Sequence, residues 1–401
     1  MDDKTDFIDK TWEYVCELKK KRQGKVIYYD RSKELKLMEL FIRKFRALRN
    51  EISINDLAEF ARINSNDCSS SDDLRAKFNE FLKLKVYDFY FELGRTSRFY
   101  IGYQIGQGRL MPYSKLPIGI QTHFVAMASD DVPSRNYSDD IWFIHFTVKS
   151  LGQHKSIEKA IQAVKQSISI FRLTYLYTSD PYFPEAIISP LRYVGTIGNQ
   201  ILGVGYDFGG LMFHRSESYD MMISELSELV NKIDKNEIES RIINALEFFG
   251  MIENTTPLRI KFLLVIFALE GLLLSGDDKE YSLRKKLPEK IAFLILESAN
   301  WDSVIHYIDI SVDTSMINTI AKARASIVSK LEKIYDRRSA IAHGGVKDMS
   351  IYDFDFGSKV LRSVISKLIQ LNRQGIAYVK KKGGLFDAKS LDGYLEGIKY
   401  S

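Results

Sequence analysis

The chain has 401 residues, with 57 Lys and Arg against 52 Asp and Glu, for a net charge of +5. Its 45% apolar and 27% charged fractions are those of a folded globular protein and argue against a disordered one. So mild a positive balance permits a nucleic-acid partner without demanding one.

The most apolar stretch, Phe262 to Ser275, is interrupted by Glu270 and is too short to span a bilayer, so no membrane partner is expected. The opening Met1-Asp2-Asp3-Lys4 is acidic and lacks an apolar core, which predicts no signal peptide. Cys16 and Cys68 fall in no metal-binding spacing, and such sparse cysteine fits a reducing cytoplasm better than a disulfide framework. The histidines (123, 145, 154, 214, 306 and 343) are scattered with no pair four residues apart, so neither a metal site nor a cofactor is expected.

Residues 1–98 read as an N-terminal helical region. Leu35, Leu37, Met38, Leu40, Phe41, Phe45 and Leu48 recur at helical spacing. Ser53 and the run Ser70-Ser71-Asp72-Asp73 are predicted helix starts. The basic groups Lys19-Lys20-Lys21-Arg22 and Arg43, Lys44, Arg46 and Arg49 could track phosphates, but Glu34, Glu39 and Glu51 lie among them, which favours a solvated helix face. Residues 99–215 read as a mixed strand and helix region, turn- and strand-rich where six of the eight prolines fall (112, 117, 133, 181, 184 and 190), since proline blocks helix interiors. Phe99–Tyr103 and Ile141–Val148 are predicted strands, Ser156–Tyr177 a helix, and 191–214 strand and loop. Residues 216–382 read as a second helical region and 383–401 as a tail. The expected fold class is mainly α, a helical C-terminal domain preceded by an α+β N-terminal region.

Several motifs fail. Gly203-Val204-Gly205 meets Phe208 where a dinucleotide loop needs glycine, and Gly102–Gly108 lacks the Lys-Ser/Thr of a phosphate loop; turns between strands account for both. The acidic pairs Asp130-Asp131, Asp139-Asp140 and Asp277-Asp278 read as solvated turns.

One segment departs from these bland readings. Met316–Gly345 is predicted as a long helix whose stripe Ile317, Ile320, Ile327, Leu331, Ile334 next reaches Arg338, and a cation on an apolar stripe needs an anion, a ligand or a subunit interface. Five residues at about 100° each set Arg338 and His343 some 140° apart on a regular helix, so a shared site requires the helix to end near His343. Gly344-Gly345 provides that stop. A helix end where Arg and His merely satisfy terminal carbonyls remains the alternative.

Arg338-Ser339-Ala340-Ile341-Ala342-His343 resembles the R-x4-6-H motif of HEPN-domain proteins, in particular the Apea-like branch. Arg241–Phe249 and Phe262–Leu273, with Glu270 inside an apolar run, are similar to that branch's two preceding helices. The resemblance covers about 216–380 and implies a C-terminal helical-bundle HEPN domain that dimerises so that two motifs meet. It further implies a metal-independent endoribonuclease, cytoplasmic, acting on tRNA or mRNA, often a toxin or an effector of anti-phage defence. By matching position, Arg338 would hold the scissile phosphate and His343 would exchange protons with the 2′-hydroxyl or leaving oxygen. Ser339 stands where many strongly active members carry a larger residue such as Asn, and is common in the Apea-like branch. Glu270 is expected to pair with a cation, either as an orienter of Arg338 or in an N-capping or inter-helix role. Arg337 is expected to face outward, toward RNA backbone. The N-terminal half would then sense a phage or cellular trigger. Some members keep the fold as non-catalytic binding or dimerisation modules.

Overall fold

The computed structural model describes residues 3–22, 30–95, 104–131, 138–139, 141–175, 190–198, 200–208, 217–253, 257–274, 280–296, 301–308, 319–345, 350–374, 379–381, 384–386, 391 and 393–395. These are mainly helical, with the larger antiparallel sheet in the N-terminal half. Two units form, one from 1–103, 108–164 and 188–212, the other from 104–107, 165–187 and 213–401. No helix among the described residues is long and apolar enough to cross a membrane.

The first unit begins with helices α1 (Asp3–Arg22), α2 (Arg31–Lys44), α3 (Ile54–Asp67) and α4 (Ser71–Phe81). Their apolar stripes meet in an aromatic cluster in which Phe7 lies 5.6 Å from Phe41 at 73° and 4.9 Å from Phe78. Such offset and edge-to-face pairs add to the gain from burial alone. The two predicted starts are caps: Ser53 accepts from the Asp56 N–H, and Ser70 from the Asp73 N–H. The basic groups are partly committed. Lys19 donates to the Cys68 carbonyl and lies over the Trp12 ring, while Lys44 faces Asp6. Glu34, read as one of the solvated acids, is instead buried and accepts from the Tyr14 hydroxyl at 3.3 Å. Burial first, then that carboxylate, pushes the Tyr14 hydroxyl far above the usual phenol range.

The helical reading of 1–98 fails at its end, because β1 runs from Lys85 to Arg95. Tyr87, Phe89, Phe91 and Leu93 alternate along it and are all buried, a period of two that outweighs the helical surroundings. Then come β2 (Gln104–Ile105), which belongs to the second unit, and β3 (Gly108–Pro112). Helix α5 (Ile118–Asp131) interrupts the stretch expected to be turn and strand, and it carries Asp130-Asp131 in a helix end and not in a solvated turn. Pro117 explains it: the ring sits just before the first helical residue, where its missing donor costs nothing and its carbonyl accepts from Ile120 N at 2.9 Å. Strand β4 (Ile141–Ser150), helix α6 (Gln153–Tyr175) and strands β5 (Pro190–Ile197) and β6 (Gln200–Phe208) follow. Within this unit the strands lie in the order β3-β4-β1-β5-β6, antiparallel throughout. Gly203–Phe208, the rejected nucleotide loop, lies within β6. Phe99–Tyr103, Asp140 and Asp277-Asp278 lie outside the described residues, as does most of the tail.

Asp56 joins the helices to the sheet side of this unit. One carboxylate accepts from Ser53 N at 2.9 Å, from His154 N at 2.8 Å and from Lys155 N at 3.0 Å. It therefore closes the first turn of α3 and of α6 together. Gly152 admits it, since a Cβ there would lie 2.1 Å from Asp56 Cγ. The same carboxylate, after burial, helps push the Tyr87 hydroxyl up to about 12.

The second unit contains α7 (Glu217–Asn231), α8 (Glu237–Glu253), α9 (Leu258–Leu273), α10 (Glu280–Ile295), α11 (Trp301–Ile308), α12 (Ile320–Ala342) and α13 (Ile351–Gln374), then β7 (Val379–Lys381) and β8 (Gly384–Phe386). Helix α9 is its centre, burying Phe262, Val265, Ile266, Ala268, Leu269, Leu272 and Leu273 against α8, α10, α12 and α13. Its last carbonyls are taken by cations: Arg241 donates to Leu272 O at 3.1 Å and Lys290 to Leu273 O at 3.0 Å. At the start of α8, Asn236 and Glu239 cap each other, the Glu239 N–H donating to Asn236 at 2.9 Å and the Asn236 N–H to Glu239 at 2.8 Å. Lys232 and Asn372 of α13 also donate to Glu239.

Two consequences are measurable. Asp56→Ala removes one half of the α3 capping box and the side-chain acceptor at the start of α6, and at about 0.5–2 kcal/mol for each should cost about 1–4 kcal/mol in urea unfolding; a loss under half that lower bound would show that water replaces the carboxylate. Burial raises Glu239, but the Lys232, Asn236 and Asn372 hydrogen bonds outweigh it and hold its pKa below the ordinary carboxylate value. Its stabilisation is therefore present above the unfolded-state pKa and disappears as pH falls through the lower folded one. The stability gap between wild type and Glu239→Gln should narrow on acidification below about pH 4, and a gap that widens there would refute the assignment.

Candidate functional site around Arg338 and His343

The apolar stripe of α12 is buried at Ala323, Ile327, Leu331, Ile334 and Tyr335, facing the rest of the helical unit. The helix starts at Thr319, whose side chain accepts from the Lys322 N–H, so it is shorter than the predicted Met316–Gly345; Ile317 lies outside the described residues. Arg338 continues the stripe. Its guanidinium lies between Phe267 and Tyr335, 5.4 and 5.5 Å from the two ring centroids. Nη2 is 3.4 Å from both oxygens of Glu270. The two side chains are 22% and 16% exposed, which leaves a reachable edge on a largely buried ion pair. Arg338 Nε and Glu270 Oε1 are buried without a hydrogen-bond partner among the described residues. The pair is thus held by charge and by the two rings more than by hydrogen bonds of good length.

Glu270 belongs to the last turn of α9, its carbonyl accepting from Leu274 N at 2.9 Å, so it does not serve as an N-cap. It reaches across to Arg338 on α12. Phe267 and Tyr335 were not singled out in the sequence, although a pattern marks them: each stands three residues before one member of the ion pair, the spacing that puts side chains on one helix face.

The end of α12 is closed by backbone bonds. His343 is the C-cap at φ −93°, ψ 10°, and Gly344 takes φ +76°. The Gly345 N–H donates to Ala340 O at 2.8 Å and the Gly344 N–H to Ile341 O at 3.0 Å, the paired bonds of a Schellman end. A Cβ at Gly344 would meet nothing within 4 Å, so the left-handed backbone, not space, requires glycine. His343 itself is exposed. The imidazole therefore sits at the point where the helix stops, in water, while Arg338 lies in the preceding turn on the buried face.

Ser339 is half-buried, and its carbonyl accepts from the His343 N–H at 3.1 Å. Arg337 is 48% exposed, as an outward-facing residue would be, but it forms an ion pair with Asp353 in the first turn of α13. Its neighbour Asp336 accepts from Arg284 of α10 at 2.6 Å. Thus α12 is tied to α9, α10 and α13 by the successive residues Asp336, Arg337 and Arg338.

Among the described residues no group of three or more His, Cys, Asp or Glu converges to hold a metal ion, and Cys16 and Cys68 are both free thiols. Comparison with known proteins returned no match to a family model, a curated protein or a solved structure.

The ion pair can be tested by a double-mutant cycle. Arg338→Met leaves a mostly buried carboxylate alone and should cost about 1–3 kcal/mol. Adding Glu270→Gln should recover part of that loss, which is positive coupling. Strictly additive effects would mean that the two side chains do not hold each other in solution.

Proposed function

We propose that the chain is a metal-independent endoribonuclease of the HEPN type, working as a homodimer and as a toxin-like or anti-phage effector in the cytoplasm. The observation that supports it best is the Arg338 placement: an arginine on the buried stripe of α12, held by Glu270 and two rings, in the turn that precedes an exposed histidine at the helix end. An arginine so held is pre-oriented, so little of its rotamer freedom remains to be lost when it meets a phosphate.

In this reading the RNA 2′-hydroxyl is the nucleophile. Its oxygen bonds to phosphorus as the bond from phosphorus to the 5′ oxygen breaks, leaving a 2′,3′-cyclic phosphate and a free 5′-hydroxyl. One imidazole takes the 2′-hydroxyl proton, and an imidazole also returns a proton to the leaving oxygen; two copies of His343 in a dimer supply both roles. Arg338 offsets the charge that grows on the phosphate oxygens. Neither a metal nor a covalent enzyme intermediate takes part, and DNA, without the 2′-hydroxyl, is not a substrate. The first unit serves to sense a trigger or recruit substrate.

A second reading rests on the same ion pair. Because the Arg338 guanidinium is already engaged by Glu270, Phe267 and Tyr335, it also suits a non-catalytic module in which the pair fixes the helices for RNA or partner binding. The two readings part on one assay. Purified protein incubated with tRNA or mRNA in EDTA should release fragments with 2′,3′-cyclic phosphate ends, and His343→Ala should slow cleavage by about 10²–10⁴-fold. Equal rates for the two proteins would remove His343 from the chemistry, and no cleavage at all would favour the binding module.

A further inference from the structure

We propose that Tyr352 is the residue on which an unpaired RNA base stacks beside the Arg338/His343 motif. This rests on the ribonuclease reading and adds a substrate-positioning residue to it. Every described Phe, Tyr and Trp side chain whose burial is defined is buried or half-buried except Tyr352, which is 82% exposed. Among the described residues, one bare ring is a departure that core packing does not account for.

Its backbone is fixed. Tyr352 lies in the first turn of α13, where the Ser350 carbonyl accepts from Asp353 N at 3.2 Å and Phe354 N at 3.4 Å. Ser350 Oγ accepts from the Tyr352 N–H itself at 3.2 Å. The next residue, Asp353, pairs with Arg337, which binds this turn to α12 one residue before Arg338. His343 lies six residues beyond Arg337, about 9 Å along the helix axis. The ring is therefore held on a rigid helix start beside the motif, not on a wandering loop.

The surroundings favour a base over a protein surface. Apart from Ile351, which is 55% exposed, and the half-buried Phe354, the neighbours in sequence and across the ion pair are polar or charged: Ser350, Asp353, Asp355 and Arg337. Among the described residues, one ring and one isoleucine do not make the contiguous apolar patch of several hundred Å² that marks a protein-binding surface. A single exposed ring on a polar surface, on the helix joined to the proposed phosphate-binding motif, is an arrangement by which proteins hold unpaired bases, since every base has a π-face. The ligand class is single-stranded RNA, with little preference among bases.

The test uses the full chain and a fluorescent single-stranded RNA of mixed sequence whose 2′-O-methyl groups prevent cleavage. Anisotropy should show Tyr352→Ala binding about 5–150-fold more weakly than wild type, the range for losing one base stack, and Tyr352→Phe binding as wild type does. With cleavable RNA the alanine variant should raise KM and leave kcat unchanged. Unchanged affinity in Tyr352→Ala overturns the proposal, as does an equal loss in Tyr352→Phe. A change of sedimentation mass in Tyr352→Ala would make the ring a subunit contact and overturn it too. If wild-type protein neither binds nor cleaves RNA, the ribonuclease reading falls and this proposal with it.

Discussion

A carboxylate inside an apolar helix surface must find cations or N–H donors where it lies, because leaving it unpaired away from water costs several kcal/mol. That constraint organises both units of this chain. Glu270 interrupts the buried run of α9 and draws Arg338 of α12 onto it. Glu239 gathers Lys232, the Asn236 backbone and Asn372, joining the start of α8 to α13. In the first unit Asp56 collects donors from the starts of two helices. In each case apolar packing brings the elements together, and the acid then selects one register among those that packing would tolerate.

At the site the constraint acts together with a backbone stop. Arg338 is set by what it must pair with, and His343 by where α12 ceases to be a helix. The left-handed Gly344 and the two Schellman bonds leave the imidazole in solvent one turn beyond the buried guanidinium. Shifting the stop by one residue would swing the histidine by about 100° around the axis. The relation between the two side chains therefore depends on glycine chemistry that touches neither of them.

Much of this was legible in sequence, and what was missed has common causes. Ser53 and Ser70 announced their helices because a cap is a local device, a side-chain oxygen two or three residues from its donor. The α12 stripe and the place where it becomes Arg338 were legible because helical period survives in any window of a few turns. Strand β1 escapes the helical reading because the alternation of Tyr87, Phe89, Phe91 and Leu93 directly follows a long run of helices and includes the buried Tyr90 and Glu92 between its members. Helix α5 is not legible from proline content, because a proline that breaks a helix interior starts a helix at its entrance, as Pro117 does. The Arg337–Asp353 pair, the second cap made by Asp56 and the bare ring of Tyr352 had no local signal at all. Each depends on which element lies against which, and a single sequence does not state that.

The Asp56 junction also bears on the order in which the chain becomes structured. Its oxygen accepts from a backbone donor 98 residues further along, so the start of α6 is capped in part from a segment far away in sequence. During synthesis Ser53 and Asp56, the two partners of the α3 box, leave the ribosome well before Gly152 and His154. The donors of α6 are therefore the last part of this junction to be made. Vectorial production removes part of the search that so distant a contact would otherwise impose on refolding from denaturant, where both ends must find each other at once.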